Sequence, residues 1–123
     1  MRYLTDRKRA MGKGAGHTGT LHHWSMTVSA VALAFLVPTF LYVFGTALGQ
    51  DHAGVVETFS RPFPAILTGL TLFVAMRHFA KGSQTMIEDY LHGTKGKMAI
   101  IFVTCLSYVT TAIGLFALAK LAL

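Results

Sequence analysis

The chain has 123 residues, of which 53% are hydrophobic and 13% are charged, and its mean hydropathy is well above zero. This composition is typical of a membrane protein and unusual for a water-soluble domain of this size. A net charge of +6 would also suit nucleic-acid binding, but the positions of the cations favour a membrane topology instead. The single cysteine, Cys105, excludes an internal disulfide, and any iron–sulfur cluster would belong to a partner.

The first predicted element is a basic, glycine-rich cytoplasmic arm, residues 1–23, which has no apolar period. Such a segment is expected to become ordered against another surface. The first apolar segment begins at Trp24, a residue type common in the aromatic belt of membranes, and it contains Pro38, which membrane helices tolerate. This segment is too long to be the apolar region of a cleaved signal peptide, and the polar, basic stretch before it is also too long for one.

Two further apolar segments follow, and each can cross the roughly 30 Å hydrocarbon core as a helix of about 20 residues. Three strands cannot close a barrel, so helices are the only sensible prediction. We predict an all-α integral membrane three-helix bundle, formed by an anchor domain of residues 24–123. Its helices are predicted at residues 24–48, 63–91 and 98–121.

The distribution of Lys and Arg along this three-helix arrangement predicts its orientation. Most of these cations precede the first helix or lie at the junction of the second and third helices: Arg2, Arg7, Lys8, Arg9, Lys13, Arg77, Lys81, Lys95 and Lys97. Only Arg61 and Lys120 fall on the other side. The positive-inside rule therefore predicts a cytoplasmic N-terminus and a C-terminus on the opposite, periplasmic side.

The second helix changes from pure hydrocarbon, residues 65–76, to a polar sequence that contains His78. This histidine lies about 21 Å along the helix from Pro64, in the cytoplasmic half of the membrane. Small or polar residues recur with it at helical spacing and form one stripe: Thr71, Ala75, His78, Gly82, Thr85 and Asp89. Such a face permits either a close helix contact or a flat macrocycle lying against it.

His78 has three possible roles at this depth. It could hydrogen-bond to a neighbouring helix, take part in a proton relay, or donate its neutral imidazole to haem iron, with Gly82 one turn away leaving room for the ring. No other histidine lies inside a predicted helix. A haem with two histidine ligands would therefore need its second ligand from another chain.

Asp89 and Tyr90 lie about 17 Å beyond His78, at the predicted cytoplasmic interface. Tyrosine often anchors a helix at the headgroups, which is one explanation for its position. Alternatively, its phenol could donate a hydrogen bond to a quinone carbonyl, supported by the neighbouring carboxylate.

The spacing of His78, Asp89 and Tyr90, followed by Leu91-His92-Gly93, resembles the signature of the succinate dehydrogenase hydrophobic anchor subunits. Residues 14–33, GAGHTGTLHHWSMTVSAVAL, resemble the N-terminal pattern of the same family. Family members often carry an Arg shortly after the His/Trp pair, where this chain has Met26 and Thr27. A contact from such an Arg to a haem propionate or to quinone is therefore not expected here.

The resemblance implies that the chain is half of a heterodimeric transmembrane anchor in a bacterial inner membrane. It also implies that His78 is an axial ligand of haem b, that Tyr90 binds ubiquinone and that Asp89 supports it. The implied partners are a cytochrome b-type anchor subunit, an iron–sulfur subunit and a flavoprotein that oxidises succinate. The chain itself would be non-catalytic, and no nucleic acid is expected.

Three alternatives remain open from the sequence. The chain could be a cofactor-free structural anchor of another respiratory complex, or the anchor of a fumarate reductase, which runs the same chemistry in the opposite direction. A transporter or channel component that uses His78, Asp89 and Arg77 as a proton path is less favoured, because the sequence has no inverted repeat.

Overall fold

The computed structural model of the chain describes residues 3–14 and 19–122, and within them every regular element is an α-helix. The helices, in chain order, are α1 (Asp6–Met11), α2 (Gly19–Ala47), α3 (His52–Ser60), α4 (Pro62–Tyr90) and α5 (Gly93–Ala122). Three of them, α2, α4 and α5, are long and apolar enough to cross a membrane. The predicted all-α fold with three long apolar helices is confirmed.

The long helices extend beyond the apolar segments from which they were predicted. Helix α2 begins at Gly19 rather than at Trp24, and α5 begins at Gly93 rather than at Met98, so that only Leu91 and His92 separate α4 from α5. Hydropathy marks the part of a helix that lies in hydrocarbon, whereas backbone hydrogen bonding continues into the polar interface. Helix α2 also runs without a break through Pro38.

Two short helices form in segments that were predicted as an arm and a loop. Helix α1 lies in the N-terminal arm, where the Thr5 hydroxyl accepts a hydrogen bond from the Lys8 amide at 3.3 Å. Helix α3 lies in the segment that connects α2 to α4, where the Asp51 carboxylate accepts one from the Gly54 amide at 2.9 Å. Such side-chain caps satisfy amides that a helix N-terminus leaves unpaired. Residues 15–18 of the arm lie outside the described residues.

Helix α4 is the central element of the three long helices. It packs against α2 on one side and α5 on the other, and within the described residues the backbones of α2 and α5 do not come close to each other. Helix α3 packs against all three long helices at one end. The long helices therefore form a single layer with α4 in the middle, and α3 lies against one end of this layer.

Few side chains are buried inside this layer. The buried apolar residues are Val43, Ala47, Phe59, Leu67 and Ile87. Small residues allow close approach of α4 and α5: an added Cβ at Gly69 would lie 3.3 Å from Leu115 and Leu118, and one at Gly114 would collide with Leu72. This use of glycine is typical of membrane helix packing. Inside the bilayer the hydrophobic effect does not drive helices together, so their association depends on close van der Waals contact.

Candidate functional site

The site is built around His78, which is half-buried on α4 and faces α2. Its Nδ1 lies 2.8 Å from the hydroxyl oxygen of Ser29. The same hydroxyl lies 2.9 Å from the Ser25 carbonyl oxygen and 3.0 Å from the Met26 carbonyl oxygen. The predicted polar contact of His78 inside the membrane is thus made to the first long helix.

The surroundings of Ser29 indicate which ring nitrogen of His78 carries the proton. A serine hydroxyl has one proton to donate, and backbone carbonyls can only accept. When Ser29 donates to the Ser25 or Met26 carbonyl, its oxygen accepts from His78 Nδ1–H. The lone pair of a neutral imidazole then lies on Nε2, the nitrogen that Ser29 does not contact.

A second histidine contacts the same side of α4 about two turns closer to Tyr90. His22 of α2 lies with its Nε2 3.1 Å from the Thr85 hydroxyl oxygen. That hydroxyl donates to the Lys81 carbonyl at 3.2 Å, so its oxygen is able to accept from His22. Between the two contacts, a Cβ added at Gly82 would meet only the Met26 methyl group, at 3.5 Å.

The predicted stripe of small and polar residues does not lie on one uniform surface. Its middle part, His78, Gly82 and Thr85, packs against α2. Thr71 and Ala75 line an apolar cavity shared with α2, α3 and α5. Gly82 and Thr85 also line an open groove between α2 and α4, so this face carries both a helix contact and free space beside it.

Asp89 and Tyr90 are the last residues of α4, and both are exposed. The Tyr90 side chain is 81% exposed, and within the described residues its hydroxyl makes no hydrogen bond. Tyr90 lies about 18 Å from His78 along the helix axis. The structure therefore does not bring these predicted site residues together, and the His22–Thr85 contact lies between their levels.

Sequence reasoning missed Ser29 as the partner of His78 and assigned no role to His22. On α2, these residues are about two turns apart and share a face, as His78 and Thr85 do on α4. This equal spacing on the two helices was the signal in the sequence that could have suggested the two contacts. The antiparallel register that pairs the two faces is set by helix packing and cannot be deduced from one sequence.

The comparisons with known proteins show the family of the chain as a whole. Residues 1–114 match the family model described as the succinate dehydrogenase/fumarate reductase transmembrane subunit. The chain belongs to this family. Among similar proteins of the family is the succinate dehydrogenase hydrophobic membrane anchor subunit of Paracoccus denitrificans, which is 47% identical over 123 residues, covering 100% of this chain and 95% of the relative.

More distant relatives of the family cover most of the chain. The succinate dehydrogenase membrane anchor subunit of Reclinomonas americana is 30% identical over 88 residues, 69% of this chain and 73% of the relative. The hydrophobic membrane anchor subunit of Rickettsia typhi is 26% identical over 94 residues, 76% of this chain and 75% of the relative. No solved structure matches the chain. The resemblance read from the sequence is confirmed.

Proposed function

We propose that this chain is a membrane-anchor subunit of a bacterial succinate dehydrogenase, in which it docks the flavoprotein and iron–sulfur subunits to the inner membrane. It shares haem b with a cytochrome b-type anchor subunit and contributes to the site where ubiquinone is reduced. The supporting observation is the His78–Ser29 hydrogen bond, because it leaves one imidazole nitrogen free inside a membrane helix. Family membership supports the complex in which this occurs.

The residues around His78 fit an axial haem ligand. Metal-binding histidines commonly donate their second ring N–H to a neighbouring oxygen, which fixes the tautomer and the ring orientation. Ser29 is placed to accept that proton from Nδ1, so that Nε2 is available to iron. Haem supplies reversible one-electron transfer, while the chain orients one ligand. No other histidine of the long helices lies as deep in the membrane, so the second ligand is expected from the partner.

The end of α4 fits a quinone-binding role. Tyr90 presents a hydroxyl that can donate to a quinone carbonyl, and the adjacent Asp89 carboxylate can orient it. Both are exposed in the single chain, so the rest of such a pocket would come from partner subunits. At this position, a membrane-soluble quinone would be within reach of electrons from an iron–sulfur subunit on the cytoplasmic side.

The test is to purify the complex through an affinity tag on this chain, using a mild detergent. The proposal predicts that flavin, iron–sulfur clusters and b-type haem elute together with the tagged chain. It also predicts that the purified complex transfers electrons from succinate to ubiquinone. A tagged chain that elutes without haem, or with the subunits of a different respiratory complex, would overturn the proposal in favour of a cofactor-free anchor.

A further inference from the structure

A cavity of about 200 Å³, lined by both polar and apolar side chains, lies between α4 and α5. It is separate from the histidine site, because His78 faces α2 and does not line it. Most of the polar lining is able to donate hydrogen bonds and comes from both helices: Arg77, Lys81 and Gln84 of α4, and Thr104, Ser107 and Tyr108 of α5.

The cavity lies deep in the membrane-spanning layer. Arg77 is about 20 Å from Tyr90 along α4, and Ser107 is about 21 Å from Gly93 along α5, measured from the same end of the layer. A hydrocarbon core is roughly 30 Å thick in total. The cavity therefore extends from the middle of both helices toward the end that carries Tyr90, in the same half of the membrane as His78.

The charges of this cavity are not balanced within the chain. Across residues 3–14 and 19–122, the ion pairs are Arg9 with Asp6 and Arg61 with Glu57, and neither involves the cavity. A nearby acid, Glu88, already accepts a hydrogen bond from Gln84 at 2.8 Å. Unpaired cations at this depth are costly and usually face a partner or a wet cavity.

A second polar group in the cavity also lacks a partner. The Ser107 side chain is only 4% exposed, and its hydroxyl has no hydrogen-bond partner among the described residues. A buried hydroxyl left unpaired is destabilising, so it is usually satisfied by a ligand or water. The group that completes the cavity should thus carry negative charge and accept several hydrogen bonds.

We infer that this cavity receives an Asp or Glu side chain from a transmembrane helix of a partner chain that packs across α4 and α5. The inference rests on the proposed assembly with a second membrane subunit. A carboxylate supplies the missing charge and accepts hydrogen bonds from arginine, lysine and hydroxyl groups. The cavity is accessible from outside the chain, since Arg77 is exposed and the Tyr108 side chain is 65% exposed.

Site-specific photo-cross-linking in the intact complex tests which molecule covers the cavity. A benzophenone-bearing residue replaces Tyr108 in one variant and Ile113 in a control. Ile113 is 64% exposed on the same helix but does not line the cavity. We expect the probe at position 108, and not the control, to capture a partner transmembrane peptide that contains Asp or Glu. Capture of lipid alone, or of a peptide without an acid, would overturn the inference.

A charge exchange then tests the ion pair itself. Arg77→Glu should reduce the partner retained after detergent extraction by roughly tenfold, because it places two carboxylates together. Replacing the captured acid with Arg in the same complex should restore retention to within about twofold, which also shows that Arg77→Glu still folds. Absence of this rescue would contradict the pairing. Lys120→Glu, a cation at the far end of α5, is the control and should retain the partner.

The outcomes distinguish this inference from the proposed function. A tagged wild-type complex that contains haem and its partners, but gives no peptide cross-link at position 108, overturns only the carboxylate site. A shift of the haem absorbance in Arg77→Leu without such a cross-link would assign the cavity to haem propionates and overturn the inference as well. A wild-type chain that retains no membrane partner overturns both.

Discussion

Ser29 accepts the hydrogen bond from His78 Nδ1 in the tautomer that leaves Nε2 free, and the two residues lie on different helices. We expect Ser29→Ala to leave His78 in place but to remove the oxygen that orients its ring. Loss of such a supporting partner weakens metal-site binding by about 10- to 100-fold. The variant complex should therefore lose haem more readily on dilution in detergent and show a changed haem midpoint potential.

Ser83→Ala is the matched control for this prediction. Ser83 is also half-buried on α4, but its hydroxyl makes no hydrogen bond within the described residues. This variant should keep the wild-type haem content and potential. If Ser29→Ala behaves like Ser83→Ala, then Ser29 does not orient the ligand.

Tyr90→Phe separates a quinone-binding role from membrane anchoring. Phenylalanine keeps the aromatic ring at the interface but removes the hydroxyl. Losing one hydrogen bond of about 1 to 3 kcal/mol should slow succinate-driven quinone reduction by roughly fivefold to a hundredfold. Oxidation of succinate with an artificial acceptor, measured in the same sample, should stay normal.

Tyr42→Phe provides the comparison, since Tyr42 is an exposed tyrosine of α2, 75% exposed, away from the proposed site. It should leave both activities unchanged. Quinone reduction by Tyr90→Phe at the wild-type rate would reject the quinone role of Tyr90 while leaving the haem role intact.

At the scale of the helices, Gly114 permits the close contact of α5 with α4. A Cβ at this position would collide with the Leu72 side chain, whereas one at Gly45 of α2 would meet nothing within 4 Å. We expect Gly114→Val to lower the stability of the complex by about 1 to 3 kcal/mol through overpacking. Thermal unfolding in detergent should show a lower midpoint, and Gly45→Ala should not.

Leu72 also offers a compensating change. Combining Gly114→Val with Leu72→Ala should recover part of the lost stability, because the smaller side chain vacates the space that valine enters. The contact would be contradicted if the double variant lost more unfolding free energy than the two single variants lose together.

The existence and type of the long helices could be predicted from the sequence, but their ends and contacts could not. Apolar segments longer than about 20 residues leave little alternative to a membrane helix. Hydropathy does not indicate where a helix ends once it has left the hydrocarbon. For this reason the starts of α2 at Gly19 and of α5 at Gly93 were not predicted. The Asp51 cap of α3 is a local signal that could have been recognised.

The candidate site was only partly predictable for a related reason. His78 is identified by its chemistry alone, since a histidine at membrane depth is rare. Ser29 and His22 become relevant only once the register between α2 and α4 is known, and that register depends on packing across the whole helix pair.

For the whole molecule, the charge distribution predicts the orientation in the membrane. Three membrane-crossing helices place the two chain ends on opposite sides, and the clustered cations favour a cytoplasmic N-terminus. Reporter fusions that are active only in the cytoplasm should therefore function at the N-terminus and fail at the C-terminus. Activity at both ends would contradict three crossings.

The central claim is that this subunit supplies a haem ligand from within the membrane, and the absorption spectrum of the His78→Ala complex tests it most directly. Alanine offers iron no donor atom, so the b-type haem absorbance should be lost or clearly shifted. His52→Ala, which changes a histidine of the short helix α3, should leave the spectrum as in the wild type. An unchanged spectrum in a fully assembled His78→Ala complex would contradict the account.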